Sequence, residues 1–210
     1  MANNDSFFSA LQQLRQLPLD VRTITLGINV SDCHDHSLHP LCENLYQRII
    51  SRAERLASVC GEVSSLFGVP IMQRRIVVTP IDRLAQGFTA GDLVNVAKTL
   101  EGAAAQVRVD RIGGFAADVQ HGTSSSAREL IHSLPAALSQ TVRVRAAVHV
   151  GTTESGVNMD AIALLGRILK ETADADADRN GDAAAKLVIL ANNATGHPHP
   201  TGACLGDGWG

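Results

Sequence analysis

Short apolar segments alternate with amphipathic segments along this chain. The clearest unit runs from Val142 to Thr172. Its β-branched apolar stretch (142–150) leads into a turn bounded by Gly151 and Gly156, and apolar residues at helical spacing follow. This order predicts a strand, a tight loop and a helix. Because the same order recurs four more times, the last time truncated, we predict an α/β fold built from βα units.

The other predicted strands are residues 21–30, 74–81, 110–119 and 186–191. The predicted helices are an N-terminal arm within 1–20, a long amphipathic helix over 40–67, and segments within 89–107 and 124–141, the last broken at Pro135. Apolar strands that alternate with helices pair in parallel through right-handed crossovers. We therefore expect one parallel sheet over residues 21–194, with helix 40–67 on its outer face and an irregular tail over 195–210.

Composition limits the classes of protein that fit. With 210 residues and 45% hydrophobic content, the chain can bury the core of one domain. The net charge of -3 is spread along the chain and aromatic residues make up 3%, so we expect no nucleic-acid partner. No stretch is typical of a membrane span or an export leader, and the four cysteines form no CxxC motif, so we expect a cytoplasmic protein that binds no membrane.

The loop after the first strand is rich in residues that can bind metals. The candidate ligands are Cys33, His34, His36 and His39, and they are weak candidates because their spacing matches no standard zinc site. The alternative is a polar loop that is rich in histidine but binds no metal. Cys33 and its neighbour Asp32 are also candidate catalytic residues. A thiol between a strand end and a helix start can have a lowered pKa, whereas an inert buried cysteine is the competing interpretation.

A second candidate site is the loop 151–158, where a strand leads to the N-terminus of a helix. Free backbone N–H groups and the helix dipole favour an anion at such a position, although a helix cap explains the same residues. Because parallel strands end at one rim, residues that follow or end other strands are expected beside it. The predicted ligand-binding residues are Gly151, Thr152, Ser155, Gly156, Asn158, Thr79, Gly113 and Gly114.

Two of these predictions have structural alternatives. The pair Gly113–Gly114 within a strand is typical of a bulge or of close backbone packing. His149, near the end of the fourth strand, is more often a packing residue than a general base.

Several segments together resemble a known family. At VRTITLGINVSDC, VTPI, IGGFAADVQ, SGVNMDAIALLGRILKET and AAAKLVILAN, the chain resembles a bacterial and archaeal family of unknown function whose fold is similar to that of pyruvate formate-lyase. The matching residues include Asp32, Cys33, Cys42, Thr79, Pro80, Gly113, Gly114, Ser155, Gly156, Asn158 and Met159, whereas His34, His36, His39 and His149 depart from the family pattern.

The resemblance implies a cytoplasmic α/β barrel of the ten-stranded type, formed from two five-stranded halves, of which this chain supplies one. Because the resemblance ends near Ala194, we expect the chain to be a fragment whose tail lies outside the match. The apolar edge strand 186–191 then predicts self-association.

The resemblance implies no reaction and no cofactor. We expect an enzyme that acts on a small anionic metabolite at the carboxyl ends of the strands. The alternative is a non-catalytic regulatory or ligand-binding protein that uses the same loops.

Overall fold

The computed structural model describes residues 22–192 and the backbone of the short strands Pro198–His199 and Gly202–Ala203. The predicted arm within 1–20 and the rest of the predicted tail lie outside the described residues.

Strands and helices alternate through the described chain. The strands are β1 (Thr23–Ile28), β2 (Gln73–Val78), β3 (Arg111–Asp118), β4 (Val144–Thr152), β5 (Gly156–Val157), β6 (Leu187–Ala191), β7 (Pro198–His199) and β8 (Gly202–Ala203). The helices are α1 (Leu38–Ala53), α2 (Leu56–Phe67), α3 (Ala90–Gln106), α4 (Ser125–Ser139) and α5 (Met159–Asp174). None of these helices is both long and apolar enough to cross a membrane.

The predicted parallel sheet is confirmed. Its order is β1-β2-β3-β4-β6, and every pair in that series is parallel. The two-residue strand β5 is antiparallel to the end of β4 and forms a hairpin that the sequence pattern did not predict. The separate pair β7–β8 is antiparallel, and β8 lies close to β2, β3 and β4.

The two faces of the sheet differ in chemistry. One face packs against the helices and contributes the side chains of Ile76, Val78, Val144, Ala146 and Val148 to the main hydrophobic core. Because side chains alternate along a strand, the intervening residues point to the other face. That helix-free face carries arginines near the beginnings of the central strands, and an aspartate and a histidine near their ends.

Two helix predictions were wrong. The predicted helix 40–67 is two helices separated by Glu54 and Arg55, where Arg55 stays in the right-handed helical region but departs from ideal helix dihedrals at φ −93° and ψ −6°. Apolar residues keep helical spacing across this break, so periodicity could not locate it. Pro135 does not break α4, since the buried neighbours Leu134 and Leu138 keep that segment against the core.

Candidate functional site

Three polar side chains meet at the carboxyl ends of the central strands. Asp82 belongs to a short 3-10 turn (Ile81–Arg83) that follows β2, and Asp118 is the last residue of β3. His149 lies near the end of β4 and is the direct neighbour of Asp118 in the parallel register. The three side chains therefore come together because adjacent parallel strands end at the same rim.

Asp118 links the other two residues. Its backbone N–H donates a hydrogen bond to Oδ2 of Asp82 at 2.9 Å. Its Oδ1 lies 3.7 Å from Nδ1 of His149. Gln120 holds the Asp118 carboxylate in place by donating from its backbone N–H at 3.2 Å and from its side-chain amide at 3.0 Å.

The outer atoms of this group have no partner. Oδ1 of Asp82 and Nε2 of His149 are both buried and make no hydrogen bond within the described part of the chain. Each residue is only 8% exposed. Buried polar atoms are hydrogen-bonded in the great majority of cases, so two unpaired atoms in one small group indicate a place where another polar group is expected.

Burial also changes the acidity of Asp82. Loss of solvation raises the pKa of its carboxyl from 3.8 to about 6, and the negative charge of Asp118 adds to the increase. The hydrogen bond from the backbone of Asp118 and the charge of Arg83 act in the opposite direction but do not compensate. A carboxyl with a pKa near 6 can both accept and donate a proton close to neutral pH.

A cleft of about 350 Å³ adjoins this group. Its lining includes Gln120, which contacts Asp118, the donors Arg128 and Ser155, the cap residue Asn158 and the carboxylate of Asp160. Asn158 begins α5, where its side chain accepts a hydrogen bond from the backbone N–H of Ala161 at 3.0 Å.

The predicted ligand loop forms a hairpin between β4 and β5. The hydroxyl groups of Thr152 and Ser155 lie 2.7 Å apart. The amide of Asn158 donates to the carbonyl oxygen of Val119 at 2.8 Å, which ties the loop to the end of β3. Gly151 is required by the hairpin itself, because a Cβ there would lie 2.3 Å from the carbonyl oxygen of Gly156. Helix capping and hairpin closure thus explain part of the pattern, while Ser155 and Asn158 still line the cleft.

Two other predicted ligand residues have structural contacts. The side chain of Thr79 accepts a hydrogen bond from the backbone N–H of Val30 at 3.0 Å, which joins the ends of β1 and β2. Gly114 lies at an irregularity in the β3–β4 register, with φ +106°. Its predicted partner Gly113 is the register neighbour of Val77 in β2.

Asp32 and Cys33 lie apart from this group. They line a separate cleft of about 410 Å³ with Arg48, and none of the other predicted ligand residues lines it. Arg48 donates to Asp32 at 2.5 Å and lowers the pKa of its carboxyl. Burial raises the pKa of the Cys33 thiol, the opposite of the activation considered from sequence, so the geometry favours an inert cysteine.

The metal candidates do not form a binding group. Within the described part of the chain, no three His, Cys, Asp or Glu side chains are placed to hold an ion. The rings of His34 and His36 contact each other edge to face, with centroids 5.2 Å apart.

Sequence reasoning missed Asp82 and Asp118 and favoured a packing role for His149. Asp82 is separated from Asp118 by 36 positions, and although Asp118 lies within the segment IGGFAADVQ, neither belongs to a motif with a known chemical role. One signal was available: each follows or ends a predicted strand, as Thr79 and Gly151 do. The same rim rule applied to every acidic residue would have selected them.

Fold and site together define an α/β protein with a parallel sheet and a polar group at the carboxyl ends of its strands. The chain belongs to the family described as Uncharacterised ACR (DUF711), whose model matches residues 12–209. The match therefore includes most of the glycine-rich tail, which corrects the expectation that the resemblance ends near Ala194.

Curated relatives come from archaea and bacteria. The chain is 42% identical to a UPF0210 protein of Methanosarcina barkeri over 206 residues, which is 98% of this chain and 46% of the relative. It is also 42% identical to UPF0210 proteins of Desulfovibrio desulfuricans and Listeria monocytogenes, covering 99% and 97% of this chain and 45% of each relative. The chain thus spans about half the length of the curated relatives it matches.

Proposed function

We propose that this chain carries an acid–base site for a small anionic metabolite at the carboxyl ends of its parallel strands. The observation that carries the proposal is the pair of buried, unpartnered atoms, Oδ1 of Asp82 and Nε2 of His149. Both belong to residues that contact Asp118, so they form one connected group. Acid–base catalysis requires such groups to face the reacting atoms without a competing partner.

The two residues have different roles in this proposal. The Asp118 carboxylate beside Nδ1 of His149 favours a proton on that nitrogen, which leaves the lone pair of Nε2 free to act as a base. Asp82, whose pKa is raised to about 6 by burial, supplies or takes the second proton. Asp118 does not react; it orients the imidazole, as the buried carboxylate does in hydrolase triads.

The anionic part of the metabolite is assigned to the adjoining cleft. Arg128 provides a positive charge there, which an anion would share with the Asp160 carboxylate of the same cleft, and Ser155 provides a hydroxyl donor. The cleft also adjoins the N-terminus of α5, where the helix dipole favours negative charge.

The experiment follows binding and proton transfer separately. A panel of small carboxylate and phosphate metabolites is screened by thermal shift, and each compound that binds is incubated in D₂O and examined by NMR for exchange of carbon-bound hydrogen. We expect exchange with the unmodified protein and at least a hundredfold loss with His149→Gln or Asp82→Asn, in line with the usual contribution of a general base of about 10²–10⁴. His132→Gln, an exposed histidine on α4, is the matched control and should leave the rate unchanged.

Two results would contradict the proposal. If neither substitution changes the rate of hydrogen exchange, Asp82 and His149 do not take part in the proton transfer. Saturable binding without any exchange would instead favour the second class considered from sequence, a non-catalytic ligand-binding protein.

A further inference from the structure

Three arginines on neighbouring strands form a row on the helix-free face of the sheet. Arg75 in β2 and Arg111 in β3 are direct neighbours in the parallel register. Arg145 follows Val144 in β4, and Val144 is the register neighbour of Ile112 in β3. Side-chain alternation places Arg145 on the same face as the other two. We refer to Arg75, Arg111 and Arg145 as the arginine row.

The guanidinium groups of the row influence one another. All three residues are half-buried. Burial lowers the pKa of Arg75 and of Arg145, and in both cases the positive charge of Arg111 lowers it further. Like charges placed directly opposite each other on adjacent strands are destabilising. The sheet therefore holds three positive charges close together at a cost in stability.

No carboxylate among the described residues forms an ion pair with a member of the row, although the charges of Asp182 and Glu101 act on Arg145 and partly offset the lowering of its pKa. Arg75 donates to the neutral side-chain oxygen of Gln73 at 2.5 Å, and its Nε is buried without a hydrogen-bond partner. Arg145 donates only to backbone carbonyl oxygens, those of Val142 at 2.8 Å and Val144 at 3.0 Å. Arg111 has neither a hydrogen bond nor an ion pair from its side chain in the described structure.

Neighbouring arginines show that pairing is available elsewhere in this fold. Arg143 forms an ion pair with Glu101 at 2.8 Å, and Arg74 approaches Asp110 at 3.5 Å. Each lies within two positions of a member of the row. Among the described residues, the lack of a direct ion pair therefore distinguishes the row from these two arginines.

We infer that the arginine row binds a multivalent oxyanion, a phosphate or polycarboxylate group. Guanidinium groups bind both anions with paired, parallel hydrogen bonds, and three of them together match an anion that carries two or more negative charges. Such an anion would complete the hydrogen bonding of Arg75 Nε and compensate the mutual repulsion.

This site is distinct from the proposed acid–base group. Arg145 and His149 are four residues apart on β4, which separates them by about 13 Å at about 3.3 Å per residue. The inference does not depend on the proposed function, because it uses none of the residues assigned to proton transfer or to the cleft beside Arg128.

The test uses titration calorimetry of the whole chain with pyrophosphate, inorganic phosphate and citrate, at constant ionic strength maintained with chloride. We expect saturable binding of pyrophosphate or citrate, and the stronger of the two identifies phosphate or carboxylate as the preferred chemistry. Arg111→Gln should weaken that binding at least tenfold, and Arg111→Lys should weaken it less, because it keeps the charge but loses the paired donors. Arg167→Gln, an exposed arginine on α5, is the matched control.

Thermal unfolding without added anion separates binding from structure. Because Arg111 repels both neighbours and its side chain has no partner among the described residues, Arg111→Gln should leave the melting temperature unchanged or raise it. If Arg111→Gln lowers the melting temperature but leaves the affinity for the anion unchanged, the row has a structural role and the inference is overturned.

Two further outcomes would also overturn it. If binding is lost in Arg128→Gln and retained in Arg111→Gln, the anion occupies the cleft and not the row. If Arg111→Gln changes the sedimentation coefficient but not the affinity, acidic groups of a second copy are the partners of the row.

Discussion

The ionisation of Asp82 shows how burial can dominate over hydrogen bonding at a single residue. Its carboxylate accepts a hydrogen bond from a backbone N–H and lies near the positive charge of Arg83, yet desolvation raises its pKa to about 6. Asp32 shows the opposite balance, because its exposed carboxylate pairs with Arg48 and its pKa is lowered. Two aspartates that follow strands thus differ in acidity through their surroundings alone.

This difference predicts a specific dependence of stability on pH. The raised pKa means that Asp82 holds its proton more tightly in the folded protein than in the unfolded chain. Its contribution to the free energy of unfolding is therefore most favourable below about pH 4 and is lost as pH rises through 6. Asp82→Asn should remove this change and stabilise the protein above pH 7 by up to roughly 3 kcal/mol, with little effect below pH 4.

Urea unfolding at several pH values measures this effect as the difference in the free energy of unfolding between the variant and the unmodified protein. Other carboxyl groups titrate in both proteins and cancel in that difference. Asp35→Asn, in the loop before α1, is the control, and a difference curve for Asp82→Asn that is flat between pH 4 and pH 7 would contradict the prediction.

The surroundings of these residues were beyond sequence reasoning for a physical reason. The local pattern shows only that Asp82 and His149 lie near strand ends, whereas their burial and contacts come from neighbours that are distant along the chain. The arginine row has the same origin. Its members become neighbours only through strand register, which depends on the packing of the whole sheet.

At the scale of elements, sequence reasoning was more successful. The five main strands and their order relative to the helices were predicted because apolar periodicity is a local property that burial enforces. Hairpin β5 was missed because its two residues are too short to show periodicity. The break between α1 and α2 was missed because no glycine or proline marks it.

The irregularity in β3 is an element-level feature with a measurable energetic role. Gly114 adopts φ +106°, and a Cβ there would lie 2.5 Å from the carbonyl oxygen of Val78. The register between β3 and β4 shifts around this residue. Only glycine combines this backbone conformation with such a close approach of β2.

Gly114→Ala should therefore lower the free energy of unfolding by about 2–4 kcal/mol, the combined cost of a strained backbone and an overpacked neighbour. Gly166→Ala is the matched control, since Gly166 lies within α5 with open space around its Cα. There, alanine should stabilise the protein by about 0.5–1 kcal/mol through helix propensity. Chemical denaturation of both variants provides the comparison, and equal effects at the two positions would show that β3 tolerates a side chain at the irregularity.

At the scale of the molecule, the sheet has two open edges among the described residues. β1 pairs only with β2, and β6 pairs only with β4. The exposed backbone of an edge strand can pair with another chain unless charges, bulges or covering segments prevent it. Because the chain spans about half the length of its curated relatives, a closed barrel formed with further strands remains a proposal from the resemblance.

The last prediction concerns β6, the more apolar of the two edges. Its residue Ile189 is 39% exposed, whereas β1 presents Thr25 and Gly27 to solvent. We expect this chain to self-associate through β6, with sedimentation velocity showing a larger species as concentration rises. Ile189→Lys should shift that equilibrium to the monomer, because a charged residue on an edge strand opposes pairing with a second sheet. Val59→Lys is the matched control: Val59 is 40% exposed but lies on the helix α2 and not on an edge strand. If the unmodified chain is monomeric at every concentration, or if both lysine variants dissociate equally, β6 is not the surface of association.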